Sequence, residues 1–229
     1  MPQPLGPDAL ARLRTYTTPT LANAIETFNA RPRTAGFTAG RIRSVFPELG
    51  PMVGYAVTAT CRASTAPPPE ATARRAALWR AIEATPAPRI VVIQDLDDPP
   101  GVGAFWGEVQ STIHHALGCV GTVTNGGVRD LDEVRALGFH FFAGSVVVSH
   151  AYVHLVEVGG PVEVDGLAVR TGDLLHADQH GVLSIPHEVA GGLDDAVERV
   201  NQSEQEILTY CRRPDFTRDG LEAIYLKRR

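Results

Sequence analysis

Apolar and polar positions change rhythm three times along the chain. In residues 7–29, "PDALARLRTYTTPTLANAIETFN", apolar side chains recur at helical intervals, and Thr18 or Thr20 is placed to cap a second helix running through Phe28. "GYAVTATCRAS" alternates and is rich in β-branched residues, which predicts a strand. The proline run at 67–69 then leads into "EATARRAALWRAIEA", a run of helix formers.

The middle of the chain is the most regular. "RIVVIQD" (89–95) is short and almost wholly apolar, the pattern of a parallel strand buried on both faces. A Pro- and Gly-rich loop follows, then helical spacing in "GEVQSTIHHALG" (107–118), a strand in "CVGTVTN", a short helix in "DLDEVRALG" ending at Gly138, and a strand in "FHFFAG". The order β-α-β-α-β predicts an α/β fold with parallel strands and right-handed crossovers. Beyond residue 160 the rhythm alternates again: "PVEVDGLAVR" centres on Asp165-Gly166, a strong hairpin signal, and "GDLLHADQHGVLSIP" continues as strand and turn. From His187 to Cys211 the spacing is helical, and 212–229 is a polar tail with room for one short helix.

Composition narrows the function classes. The chain of 229 residues is expected to form one domain, 1–229, with 44% hydrophobic residues, 21% charged residues and a formal net charge of −5. That charge leaves no basic field for nucleic acid or an anionic membrane, so a small-molecule partner is expected. The three cysteines, Cys61, Cys119 and Cys211, have neither disulfide nor zinc spacing and read as buried free thiols of a reducing compartment. With no signal-like or membrane-spanning apolar run, a cytoplasmic location is expected.

The candidate chemistry lies in "TNGGVRDLDEV" (124–134) and in "GE" at 107–108. Ligands of open parallel sheets bind outside the carboxyl ends of the strands. Glu108 follows the first central strand and Arg129-Asp130 the second, so the fold is expected to bring them to one edge despite the 20 residues between Glu108 and Arg129. Free N–H groups of a helix beginning at Gly107 can hold a carboxylate, and Arg129 offers a planar fork for more oxygens. Glu108 and Asp130 supply hard oxygen ligands for Mg²⁺ or Mn²⁺. The local alternative is structural. Asp130 with Glu133 is a variant of the capping box, the commoner role for an aspartate there, and Gly126-Gly127 by itself signals a turn.

These same segments, "GE", "GCVGTVTNGGVRDLDEV" and "PVEVDGLAVRTGDLLHADQHGVLSIP", resemble the RraA-like proteins over roughly residues 15–206. That family includes 4-hydroxy-4-methyl-2-oxoglutarate aldolase (4-carboxy-4-hydroxy-2-oxoadipate aldolase). The resemblance implies an α-β-β-α sandwich of the swivelling β/β/α type, assembled as homotrimers or hexamers with sites between subunits. It implies a class II aldolase dependent on a divalent metal. By that resemblance Asp130 would anchor Mg²⁺ or Mn²⁺, Glu108 would act through the metal's water, and Arg129 would bind the 2-oxo acid and stabilise its enolate. The backbone amides of Gly107, Glu108, Val109 and Gln110 would receive the substrate carboxylate. A glutamate of a neighbouring subunit's C-terminal helix, Glu204 with Glu206 as the alternative, would also reach the metal through water. The implied products are pyruvate and a carbonyl fragment, and oxaloacetate decarboxylation would pass through the same enolate.

Glu108 stands where the aldolases commonly carry Asp, and Asn23 where a "DA" pair is usual; residues 67–85 and the tail after Cys211 also depart from the pattern. The family further contains RraA-type regulators that bind ribonuclease E. These tend to lack the acidic residue before Arg-Asp that Glu108 provides here. A member acting on another 2-oxo or hydroxy acid is a third reading.

Other residues invite weaker readings. His114 and His115 lie within a helix, His176 and His180 flank a turn with Asp178 as turn former, and none makes a helical zinc pattern. "GVGAFWG" (101–107) lacks the spacing of a nucleotide loop and reads as a flexible substrate loop, with Trp106 either walling the site or packing in the core.

Overall fold

The computed structural model describes residues 3–226. Helix α1 (Pro7–Leu13) and α2 (Thr18–Glu26) account for the first periodic stretch. Thr17 rather than Thr18 or Thr20 is the cap, its hydroxyl accepting from Thr20 N at 3.3 Å, and the helix stops two residues before Phe28. Strand β1 (Arg43–Ser44), a 3₁₀ turn (Pro47–Leu49), β2 (Met52–Arg62) and α3 (Ala71–Glu83) follow, then the central unit: β3 (Arg89–Asp95), β4 (Ala104–Trp106), α4 (Glu108–Ala116), β5 (Cys119–Val128), α5 (Leu131–Leu137) and β6 (His140–Val146). The last part contains β7 (His154–Val158), β8 (Val162–Val164), β9 (Leu167–Val169), β10 (Leu174–Asp178), β11 (Gly181–Ile185), α6 (His187–Ala190), α7 (Leu193–Cys211) and α8 (Arg218–Leu226).

The β-α-β-α-β expectation holds, with β2, β3, β5 and β6 parallel neighbours at the centre of a nine-stranded mixed sheet. β1 runs antiparallel on β6 at one edge, and β10 and β11 continue antiparallel from β2 at the other. Alternation along β2 shows how the layers form. Val57, Ala59 and Cys61 lie under α3 and α5, Val53 and Tyr55 under α1, α2 and α7, and Met52 and Ala56 point to the opposite face. On that inner face they meet Leu175, Ala177 and Val182 of β10 and β11, Ile90 and Val92 of β3, and the hairpin β8–β9 through Val162, Val164, Leu167 and Val169. Helices therefore cover the outside of a curled sheet whose two halves face each other, in the α-β-β-α order.

Residues 37–44 draw the two edges together. Phe37 bridges to Leu183 of β11, while Arg43 and Ser44 pair with Ala143 and Phe142 of β6. Midway, Asp165 accepts from Arg41 N at 2.8 Å and Ile42 N at 3.2 Å, which ties the β8–β9 turn to this segment. Asp165 and Gly166, at φ 51° and 82°, adopt the left-handed pair that a two-residue hairpin needs, as the Asp-Gly sequence predicts.

Three expectations need correction, and one open choice, over Trp106, is decided. "GVGAFWG" is not a flexible loop throughout: Ala104–Trp106 is a strand paired with the end of β5, because its aromatic side chains are buried between sheet and helix. Trp106, 1% exposed and 4.7 Å from the His114 ring between centroids, belongs to the core. Gly126-Gly127 does not form a turn but lies within β5, at a register shift between Thr124 and Gly127. Cys61 and Cys119 are buried thiols, whereas Cys211 at the end of α7 is exposed.

Candidate functional site

The parallel register of β3 and β5 sets the loops after them side by side. β4 adds to the end of β5, with Trp106 opposite Val128, so Gly107 and Glu108 emerge beside Arg129 and Asp130. The contact is direct: Glu108 N donates to Asp130 Oδ2 at 2.9 Å, and Arg129 Nε lies 3.6 Å from the same oxygen. Gly107 makes this approach feasible. Its backbone is extended, so the requirement is spatial rather than conformational, and a Cβ placed there would strike Asp130 Oδ2.

Asp130 occupies the cap position of α5 but does not cap it. Its backbone is left-handed, φ 55° and ψ 51°, and its side chain makes no cap hydrogen bond, so the capping box with Glu133 is not formed. The carboxylate instead serves the N-terminus of α4, a helix not its own. A non-glycine residue held left-handed costs roughly 1–2 kcal/mol, the kind of strain that collects at functional sites.

A cavity of about 350 Å³ opens at this point, with Gly107, Val109, Gln110, Arg129 and Asp130 on its wall. The N–H groups of Val109 and Gln110 have no backbone or side-chain acceptor among the described residues, as expected in a first helical turn, and they face a position where the dipole favours an anion. Glu108 differs from its expectation in two respects. Its own N–H is already given to Asp130, and its exposed carboxylate is not part of the cavity wall.

Asp130 Oδ1 accepts no hydrogen bond among the described residues, and the side chain is 34% exposed. No group of three His, Cys, Asp or Glu side chains gathers to hold a metal among the described residues. One available carboxylate suits a hard, hydrated cation such as Mg²⁺ or Mn²⁺, which keeps several waters, and does not suit the closed tetrahedral set of structural zinc. Glu204 and Glu206 lie exposed on α7, outside this cavity; Glu204 Oε1 accepts from Asn23 Nδ2 at 3.3 Å, linking two positions singled out separately in the sequence.

The histidines fall to the scaffold. His114 is fully buried in α4, its Nδ1 2.6 Å from Gln110 O, and burial pushes its pKa down to about 4. His115 is exposed. His176 Nδ1 lies 2.9 Å from Thr18 Oγ1, and Asp178 accepts from Thr18 N and His180 N, both at 2.8 Å, so this trio secures the start of α2.

The sequence reading missed the opposite wall, made by Arg75, Phe105, His150 and Tyr152. The loop holding His150 and Tyr152 follows β6, so the carboxyl-edge rule that selected Glu108 and Arg129 could also have found it. Arg75 carries no such signal, since it lies inside α3 and not in the loop between β2 and that helix.

A family model described as RraA-like (Aldolase/RraA) matches residues 18–184. A putative 4-hydroxy-4-methyl-2-oxoglutarate aldolase of Halalkalibacterium halodurans is 32% identical over 71 residues, which is 31% of this chain and 34% of that protein. Matches to curated relatives span between 17% and 57% of those proteins' own lengths. Among solved structures, an uncharacterized protein of Pseudomonas syringae pv. tomato superposes with a TM-score of 0.73 at 22% identity, covering 98% of this chain and 96% of that one. RraAS2 of Streptomyces coelicolor, described as an unusual member of the RNase ES inhibitor RraA protein family, superposes with a TM-score of 0.69 at 19% identity, covering 92% and 99%. At these identities the superpositions establish the fold.

Proposed function

Because the chain belongs to the RraA-like family, we propose that it is a lyase dependent on Mg²⁺ or Mn²⁺ that cleaves a 4-hydroxy-2-oxo dicarboxylic acid to pyruvate and decarboxylates oxaloacetate at the same site. The observation that carries this reading is the Arg129–Asp130 pair held against the N-terminus of α4 in one cavity. When bound at Asp130, the divalent ion would supply a Lewis acid for the 2-oxo carboxylate end of the substrate.

The chain's own groups account for the rest of the chemistry. The free N–H groups of Val109 and Gln110 receive the C1 carboxylate, aided by the helix dipole. Arg129 sits where negative charge grows on the keto oxygen, so it interacts more strongly with the enolate than with the ground state. A base takes the 4-hydroxyl proton, the C3–C4 bond breaks with its electrons passing into the C2 carbonyl, and the pyruvate enolate is protonated at C3. Glu108, one residue from the cavity wall, is assigned to the proton-handling side through water. The Glu108 N–H, already bonded to Asp130, orients that carboxylate instead of binding substrate.

Val109, Val146, Val148 and Tyr152 are exposed apolar side chains of α4 and of the segment from the end of β6 toward β7, close to the cavity. They support self-association at this face, and the assembly we propose is a homotrimer or hexamer in which Glu204 of a neighbouring subunit would complete the site.

The decisive assay is pyruvate release from 4-hydroxy-4-methyl-2-oxoglutarate and from oxaloacetate with Mg²⁺, with chelator, and in Arg129→Ala. Chelation is expected to abolish turnover, and the variant to lose about 10²- to 10³-fold in kcat. Turnover that survives chelation removes the metal. Tight binding to a ribonuclease E without turnover of either acid replaces the lyase with the regulator reading.

A further inference from the structure

Two consecutive arginines of α3 have opposite fates. Arg74 is committed to the scaffold: Nη1 donates to Leu155 O at 3.0 Å and Nη2 to Glu70 Oε1 at 3.1 Å, which fixes the helix against β7. Arg75 makes no hydrogen bond and no ion pair among the described residues. Its guanidinium lies over the Phe105 ring, 5.6 Å from the centroid, and lines the same cavity as Arg129 and Asp130. The cation–π contact and the anchored helix hold the fork in place before any ligand arrives.

The charges of the cavity wall do not balance. Arg75 and Arg129 contribute two cations and Asp130 a single anion, already within 3.6 Å of Arg129. Arg75 is therefore uncompensated, and a divalent ion at Asp130 would add to the positive excess. A monocarboxylate held at the α4 N-terminus leaves Arg75 without a partner; a second carboxylate on the same ligand provides one. We infer that Arg75 determines specificity, binding the distal carboxylate of a dicarboxylic 2-oxo acid whose first carboxylate lies at Val109 and Gln110. The inference rests on the cavity being a 2-oxo acid site, and it adds a residue from 67–85, one of the segments that depart from the family pattern.

A matched ligand pair tests it without turnover. 2-Oxoglutarate and 2-oxopentanoate share a five-carbon 2-oxo acid chain and differ in a distal carboxylate against a methyl group. Calorimetric titration of the full chain in Mg²⁺ is expected to show 2-oxoglutarate binding about 10- to 100-fold tighter, the worth of a charged hydrogen-bonded pair. Arg75→Ala is expected to reduce that ratio to within about threefold, and Arg75→Lys, which keeps the charge but loses the fork, to an intermediate value. Arg80→Ala, an exposed arginine of the same helix outside this cavity, should leave the ratio unchanged. A wild-type protein that binds both acids equally, binds neither, or keeps its preference in Arg75→Ala overturns the inference. A preference that depends on Arg75 in a protein that releases no pyruvate sinks the lyase reading alone.

Discussion

Asp130 and Asp178 perform the same local task in two regions of the molecule, and the difference between them separates a site from a scaffold. Each lends a carboxylate oxygen to the first N–H of a helix that is not its own: Asp130 to Glu108 of α4, Asp178 to Thr18 of α2. Asp178 is 6% exposed and both its oxygens are engaged, Oδ2 by Thr18 and Oδ1 by His180 N and Nδ1. Burial alone would raise its pKa, but the hydrogen bonds from Thr18 and His180 outweigh burial and hold it below the ordinary carboxylate range. Asp130 keeps one oxygen free, faces a cavity beside an arginine, and sits in a strained backbone conformation. An aspartate at a helix start is thus uninformative until the fate of its second oxygen is known.

The largest expected effect falls on Asp130. Asp130→Asn keeps an acceptor for Glu108 N–H and removes the charge, so activity should fall about 10³-fold while stability changes by less than about 1 kcal/mol. Pyruvate release beside urea unfolding reads both, and a variant that unfolds in proportion to its lost activity would erase the distinction between the two aspartates. Asp178→Ala should do the reverse. It leaves the buried Thr18 N–H unpaired and removes the acceptor of the part-buried His180 N–H, at a cost of about 2–3 kcal/mol, with activity per folded molecule retained.

Acid sharpens the contrast further. Burial pushes His176, beside Asp178, and His114, in α4, from 6.5 down to about 4. Both are neutral in the fold and take up protons more readily when unfolded. Their contribution is complete above pH 6.5 and is lost as the pH falls from there toward 4, at about 1.4 kcal/mol per unit for each. The slope of unfolding free energy against pH should therefore become shallower in His176→Gln; an unchanged slope would mean that His176 titrates in the fold as it does in the open chain. The smallest effect belongs to Glu108→Asp, which shortens a carboxylate outside the cavity wall by one methylene and should keep kcat/KM within about tenfold. A larger loss would place that side chain in direct contact with substrate.

Legibility in the sequence followed the range of the interaction concerned. The hairpin at Asp165-Gly166 was readable because two adjacent residues set its backbone, and the central β-α-β-α-β unit because each segment records its own burial in its period. Strand β4 was not, since "AFW" is stabilised by pairing with the end of β5 and by the aromatic core above it, neither of which its neighbours in sequence disclose. The meeting of Glu108 with Arg129 and Asp130 was expected from the carboxyl-edge rule, but the bond that joins them, from a backbone N–H of one to the carboxylate of another, was not.

The amino-acid order alone determined the central strands and helices apart from β4, that the central strands lie parallel, and that positions 107–110 and 129–130 share an edge, because periodicity and chain connectivity are local properties. Only the tertiary structure decided that residues 37–44 draw the curled sheet together, that Asp130 turns left-handed and serves α4, that Cys211 is exposed, and that Arg75 rather than Arg74 lines the cavity. Those outcomes depend on packing between residues distant in the chain, where the free energy of one side chain is set by neighbours that its own segment does not encode.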